Sequence, residues 1–332
     1  MTSGPSTSTA PGTDGVDAPA STAAVWSALW VVYLIWGSTY LAIAVAIESM
    51  PPLLALGTRF LAAAALLGLF LAVRRGPRTL RVTWRELRGA AVIGVLLLGA
   101  GIGFLTLAER YVPTGVAALL VAVVPLWVVL LRVGTGDRPH LVTWLGVVVG
   151  LAGVAVLVLP GDHVASVGGA SDLQRTVWSL LIMLGSACWA VGSFLQPRIT
   201  TPRDQLVLTT YEMLTGGLVL CLVGLARGER LGDFADATAR SWTGWAYLVT
   251  FGSLLGYTAF VWLLSHAPLS LVTTYAYVNP VVAVALGFVV LHEQLTAGVL
   301  VGGAIVVAGV VLVVSGERRT AEAVAVSSPP DR

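Results

Sequence analysis

From residue 25 onward the chain is written as a succession of runs of about twenty mostly apolar residues, broken by short polar stretches. A helix rises 1.5 Å per residue, so such a run crosses a hydrocarbon core about 30 Å thick. Ten runs meet that length, near 25–46, 53–73, 89–109, 113–132, 141–159, 176–196, 205–226, 241–265, 270–290 and 296–315. Charged residues make up 11% of the chain, whereas a soluble domain carries about 25%. Lipid is the solvent that tolerates this composition, and the expected fold is an all-α integral membrane protein with ten transmembrane helices.

The opening 24 residues are rich in Ser, Thr, Pro, Gly and Ala and lack a basic start. They read as a disordered tail and not as a signal peptide; residues 317–332 read the same way. Cys188 and Cys221 fall inside spans and read as small apolar packing residues. His140, His163, His266 and His292 are too scattered for a metal site, and no cofactor is implied.

Every basic residue is arginine. With the N-terminus inside, the cytoplasmic segments collect the run from Arg74 to Arg88 together with Arg132, Arg138, Arg198, Arg203, Arg318, Arg319 and Arg332. The opposite side holds Arg110, Arg175, Arg227, Arg230 and Arg240. The positive-inside bias therefore predicts a multi-pass protein of the cell inner (plasma) membrane with both termini cytoplasmic. A formal net charge of +2 and a basic run that flanks the membrane argue against a nucleic-acid partner.

The second half of the chain repeats the first at a nearly fixed offset: Trp36 falls on Trp189, Gly89 on Gly244, Gly101 on Gly256, Pro113 on Pro268 and Pro125 on Pro280. Composition alone would not keep Pro and Gly in register. The domains expected are a five-helix repeat at 25–159, a linker at 160–175 and a second repeat at 176–316. An odd number of spans per repeat turns the second upside down, and inverted repeats place a site near the midplane between them.

Pro125 and Pro280 are expected to interrupt the fourth and ninth spans, each removing a helical hydrogen bond. For Pro125, plain curvature and a functional break are equal alternatives. Asn279, Tyr275 and Tyr277 beside Pro280 favour a cavity lining.

Arg59 stands in an otherwise apolar run, ~9 Å below the outer end of its helix. An arginine at that depth needs water, a partner or the interface. Its repeat mate is Glu212, placed toward the inner end of the seventh span and ~10 Å away along the membrane normal. Three readings stay open: snorkelling of Arg59 to head groups, an ion pair locking the halves, or a water-filled path in which Arg59 orients an anion and Glu212 takes a cation or proton. Glu48, Glu109 and Glu293 sit at span ends and are expected to be solvated. Deep aromatic residues such as Trp36, Tyr40, Phe104, Trp189, Tyr257 and Tyr275 fit core packing and cavity lining equally well.

Three stretches carry a family resemblance: "WGSTYLAIAVAIESMPPLLALGTRF" at 36–60, "AERYVPTGVAALLVAVVPLW" at 108–127 and "LHEQLTAGVLVGGAIVVAGVVLV" at 291–313. They resemble the first- and second-span, fourth-span and closing elements of the EamA family of the drug/metabolite transporter superfamily. Two places depart from it: "TGDRP" stands where the first half should repeat the acidic closing element, and His292 replaces a usual glycine. The resemblance implies a central cavity and the export of amino acids, related metabolites or amphiphilic drugs. It makes Trp36, Tyr40, Phe104, Trp189, Tyr257, Tyr275 and Asn279 lining positions and leaves Arg59 and Glu212 at the cavity edge; from the residues themselves, Arg59, Glu212, Pro125 and Pro280 are the candidate gating or coupling positions.

The expected partners are a small-molecule substrate, the lipid bilayer and possible proton coupling, in a monomer or homodimer. No "GxxxxGK[ST]" loop occurs, so a gradient and not ATP would drive transport. An exchanger of phosphorylated or nucleotide-linked metabolites would need several deep cations, and only Arg59 qualifies. A polytopic membrane enzyme would need converging acid, base or metal groups, which the sequence does not offer. A non-transporting subunit is the remaining alternative.

Overall fold

A computed structural model of the protein describes residues 21–136, 139–159, 167, 169–267, 269–272 and 274–327. Outside them fall Asp137, Arg138, His163, Pro268, Thr273, half of the expected linker and most of the expected N-terminal tail.

The first half comprises α1 (Thr22–Ile47), α2 (Pro52–Arg75), α3 (Trp84–Ala108), α4 (Thr114–Gly134) and α5 (Leu141–Val158). The second comprises α6 (Asp172–Leu195), α7 (Gln205–Ala226), α8 (the consecutive pieces Ala239–Tyr247, Leu248–Leu255 and Gly256–His266), α9 (Tyr275–Leu291) and α10 (Ala297–Ser327). Eight described helices are long and apolar enough to cross a membrane. The two others, α8 and α9, stand at the runs read as the eighth and ninth spans.

Local chemistry sets the helix starts. Pro52 opens α2, where a missing N–H costs nothing. Thr83 with Glu86, and Ser171 with Gln174, form capping boxes at α3 and α6. Asp204 accepts from the amides of Leu206 and Val207 at the head of α7. At the other end of the chain, α10 continues past Gly316 to Ser327.

The packing has the exchange symmetry of two related halves. Helix α2 packs on α7, α4 on α9 and α5 on α10, each helix meeting its own counterpart. The remaining contacts come in matched sets: α1 lies against α8 and α9, and α6 against α3 and α4. Small residues permit the self-matched crossings. A Cβ on Gly57 would sit 2.9 Å from the Gly217 carbonyl oxygen, and one on Gly217 would sit 2.9 Å from that of Gly57. Likewise a Cβ on Gly146 would lie 2.7 Å from the Gly309 carbonyl oxygen. Backbones this close exclude any side chain, as small-residue membrane crossings require.

Both halves also depart from the α-helix at equivalent places. Val95–Ile102 in α3 and Leu248–Leu255 in α8 are wound as π-helix, an uncommon form found mostly at functional sites. Helix α4 breaks at Ala122 and Val123 and restarts with Pro125 in its first turn. Pro280 behaves differently and corrects the expectation: α9 continues through it to Leu291, so it frees one carbonyl without interrupting the helix. The discontinuity of the ninth span lies earlier, next to Thr274, whose hydroxyl bonds the Tyr33 hydroxyl of α1.

Candidate functional site

Where α1, α8 and α9 meet, three aromatic side chains gather around Trp36. Its ring centroid lies 4.9 Å from Phe260, 5.3 Å from Tyr275 and 6.2 Å from Tyr257. Phe260 in turn stands edge-on to Tyr275 at 5.8 Å and to Tyr257 at 6.2 Å. Edge and tilted contacts of this kind are the arrangements that the ring quadrupoles favour. The indole edge of Trp36 rests on Gly256, where a Cβ would come within 2.8 Å of Nε1. Glycine at that position is what lets α1 and α8 approach.

The aromatic group carries one acidic terminus. The Tyr257 hydroxyl donates to Oε2 of Glu212 at 3.0 Å, reaching from α8 to α7. Glu212 is 2% exposed, and its Oε1 accepts nothing. Asn279, one turn beyond Tyr275 on α9, is also buried, and its side-chain carbonyl oxygen has no partner. A buried group of rings with a carboxylate bonded to one of them, as Tyr257 and Glu212 are, has the chemistry to attract an apolar molecule bearing a hydrogen-bond donor or cationic group.

Arg59 does not pair with Glu212. It is 6% exposed, its Nε donates to Ser253 Oγ of the α8 π-segment at 3.2 Å, and its guanidinium lies 4.4 Å from the Phe60 ring centroid. Burial removes the snorkelling reading, and the bond to Ser253 replaces the direct ion pair. One nitrogen, Nη1, keeps no partner. Ser253 lies within the π-wound segment, a local geometry that periodicity in the sequence does not encode.

The repeat mates form a second, simpler seat. Trp189 rests on Gly101 as Trp36 rests on Gly256, with a Cβ there 3.2 Å from the indole. Phe104 lies across from Gly185 at the same α3 and α6 contact. Among the described residues no ring contact links Phe104 or Trp189 to the Trp36 group. Beside the α4 break, Trp127 Nε1 donates to Ser186 Oγ at 2.9 Å, tying α4 to α6.

Tyr40 is buried at 8% exposure one turn beyond Trp36, within electrostatic reach of Tyr275 and Glu109. Sequence reasoning missed Phe260, Ser253 and the roles of two outer carboxylates. Phe260 had a readable signal, since it follows Tyr257 by three residues and shares its helical face. The carboxylates had none. Glu293 accepts from the Thr114 amide at 2.7 Å, the Thr114 hydroxyl at 2.9 Å and the Gly115 amide at 3.3 Å, capping α4 of the opposite half. Glu229 likewise caps α2, accepting from the amides of Leu53 at 3.1 Å and Leu54 at 2.8 Å. Glu109, expected to be solvated, is 5% exposed because the α3 to α4 turn is packed under the second half.

Two matched bundles of membrane-spanning helices, joined around a buried aromatic and acidic site, define a polytopic membrane transporter. The model of the EamA-like transporter family matches residues 24–159 and 176–315, and the chain belongs to that family. It is 39% identical over 295 residues to the "uncharacterized inner membrane transporter YedA" of Escherichia coli (strain K12), covering 88% of this chain and 91% of that one. To the "probable terminal-alkyne amino-acid exporter" of Streptantibioticus cattleyicolor it is 29% identical, covering 90% and 94%. A crystal structure 20% identical in sequence superposes with a TM-score of 0.59 over 90% of this chain and 99% of its own, a likeness of fold.

Proposed function

We propose that the protein is a secondary transporter of the inner membrane, with both termini cytoplasmic, that exports a small ammonium-bearing metabolite or drug-like amphiphile by alternating access of its two inverted halves. The observation that carries this reading is the ring group of Trp36, Tyr257, Phe260 and Tyr275 ending on Glu212. Aromatic faces attract an ammonium group once it is desolvated, and a carboxylate completes its neutralisation. Because the group joins Trp36 on α1 of one half to Glu212, Tyr257, Phe260 and Tyr275 on α7, α8 and α9 of the other, movement of one half against the other opens or closes it.

On this reading Glu212 holds either the cargo's ammonium group or a proton, never both, which couples export to proton entry. The amino-acid exporter among the relatives supports a cargo with an amino group. Arg59 is not a ligand of that group; it orders the α2 to α8 contact from Ser253.

Reconstituted protein tests the proposal in a counterflow screen of amino acids, polyamines and cationic amphiphiles at two pH values. Saturable counterflow is expected for at least one ammonium compound, with Trp36→Ala abolishing it. Glu212→Gln is expected to remove proton-driven flux. Proton-driven flux unchanged in Glu212→Gln, or counterflow confined to anions, would overturn it.

A further inference from the structure

The mechanism above leaves one buried acid unused. Glu109 follows the last residue of α3, and both of its carboxyl oxygens are sealed from solvent and accept no hydrogen bond. Its neighbour Glu293 takes the donors at that place, the amides of Thr114 and Gly115 and the Thr114 hydroxyl. An ionised carboxylate with neither water nor donor is strongly disfavoured, so the group must hold a proton or a cation. The titratable groups whose charge reaches it are Tyr40 from α1 and Glu293 from the segment between α9 and α10. Neither is a cation. Burial first, and the Glu293 carboxylate second, hold the Glu109 carboxyl well above the usual carboxylate range.

A route to water lies close by. An open cleft of about 470 Å³ is lined by Leu107 and Arg110, on either side of Glu109 in the chain, together with Glu48, Pro52, Arg227 and Glu229. Arg110 is exposed there and offers Glu109 no bond. The α3 to α4 turn follows Glu109 in the chain, and Glu293 holds the first turn of α4 beyond it.

We propose that Glu109 is a second proton-binding site of the transporter, at the outer end of the interface between the halves, which the Glu293 cap on α4 seals and whose opening releases the proton to the outer cleft. The step is an ionisation alone: the Glu109 O–H bond breaks, the carboxylate remains and the proton passes to cleft water. This inference rests on the transport reading for its purpose, while its proton occupancy stands apart from it. With Glu212 toward the inner side and Glu109 toward the outer, each end of the interface then has one acid that must be neutral when sealed.

Infrared titration of the purified full chain in lipid nanodiscs tests occupancy without any cargo. A protonated-carboxyl band is expected in wild-type protein at pH 7, weakened in Glu109→Gln by the loss of one component. Glu293→Gln is expected to move the midpoint of that component to lower pH, since it removes the second cause of the shift and loosens the seal. Glu109→Gln imitates the neutral acid, so it is expected to keep the wild-type elution profile; a band identical in wild type and Glu109→Gln overturns the proposal, as does an unmoved midpoint in Glu293→Gln. Proton uptake by proteoliposomes, measured in parallel, reads the transport function separately. A titrating Glu109 in a protein with no cargo-driven proton movement would leave the site and overturn the coupling role.

Discussion

Glu48 and Glu293 are both carboxylates near helix ends, yet removing them should have different consequences. Glu293→Ala takes away one acceptor shared by two backbone amides and a hydroxyl, at 2.7, 3.3 and 2.9 Å. The Thr114 and Gly115 amides belong to the first turn of α4, where no helical carbonyl can serve them. Loss of an N-terminal cap costs about 1 kcal/mol, and hydrogen bonds to a charged group contribute about 1.5–3 kcal/mol. Treated as one unit, because the Thr114 hydroxyl can turn elsewhere, the change should destabilise the protein by about 2–3 kcal/mol. Glu48 instead pairs with Arg240 at 3.1 Å, with side chains 42% and 56% exposed. Such a pair contributes about 0–1 kcal/mol.

Thermal unfolding of the purified protein in detergent, followed by tryptophan fluorescence, compares the two. One kcal/mol moves the midpoint by about 2–4 °C in a chain of 150–250 residues and by less in a longer one. A drop of about 3–6 °C is therefore expected for Glu293→Ala, with Glu48→Ala within about 2 °C of wild type. Glu293→Gln, which keeps one carbonyl oxygen, should fall between them. Equal midpoints for Glu293→Ala and Glu48→Ala would refute the idea that this carboxylate fastens the second half to α4 of the first.

Gly309→Val should prevent isolation of a monodisperse protein, since a side chain there would enter the Gly150 backbone, whereas Gly134→Ala, with open space around it, should elute as wild type. Size-exclusion chromatography reads both. Glu109 predicts the pH dependence of stability: its folded form holds the proton more tightly than the unfolded chain, so its contribution is complete below the ordinary value of 4.5 and is lost as pH rises toward the raised value. The slope is at most about 1.4 kcal/mol per pH unit, and thermal midpoints of Glu109→Gln should lack that component. Tyr257→Phe keeps the ring contacts with Trp36 and Phe260 but drops the bond to Glu212. Cargo affinity in counterflow should then fall less than in Trp36→Ala, which removes three ring contacts worth about 0.5–1.5 kcal/mol each.

Much of the fold was legible because lipid imposes one length and one polarity on every crossing. The run read at 205–226 is the helix Gln205–Ala226, and the one read at 141–159 is Leu141–Val158. The halves were legible because glycines at helix crossings cannot be exchanged for larger residues: Gly101 and Gly256 each receive the tryptophan of the other half. The meeting of Trp36, Tyr257 and Tyr275 was not legible from any local period. What stayed hidden depends on tertiary approach. Ser253, which bonds Arg59, sits in a π-turn whose residues read as ordinary helix. Glu109 and Glu293 occupy similar positions at span ends, but one is capped into use and the other is enclosed without a partner, which no property of either residue alone distinguishes.

The inversion of the halves is tested most directly by comparing two equivalent loops, those that follow α2 and α7. In a Cys188→Ala, Cys221→Ala background, Arg78→Cys and Gly232→Cys place one thiol at each exposed position. A membrane-impermeant maleimide added to intact cells should label the Gly232→Cys protein and spare the Arg78→Cys protein until the membrane is opened. Labelling of both from the same side would mean that the halves run parallel, and the shared midplane site would fall with that result.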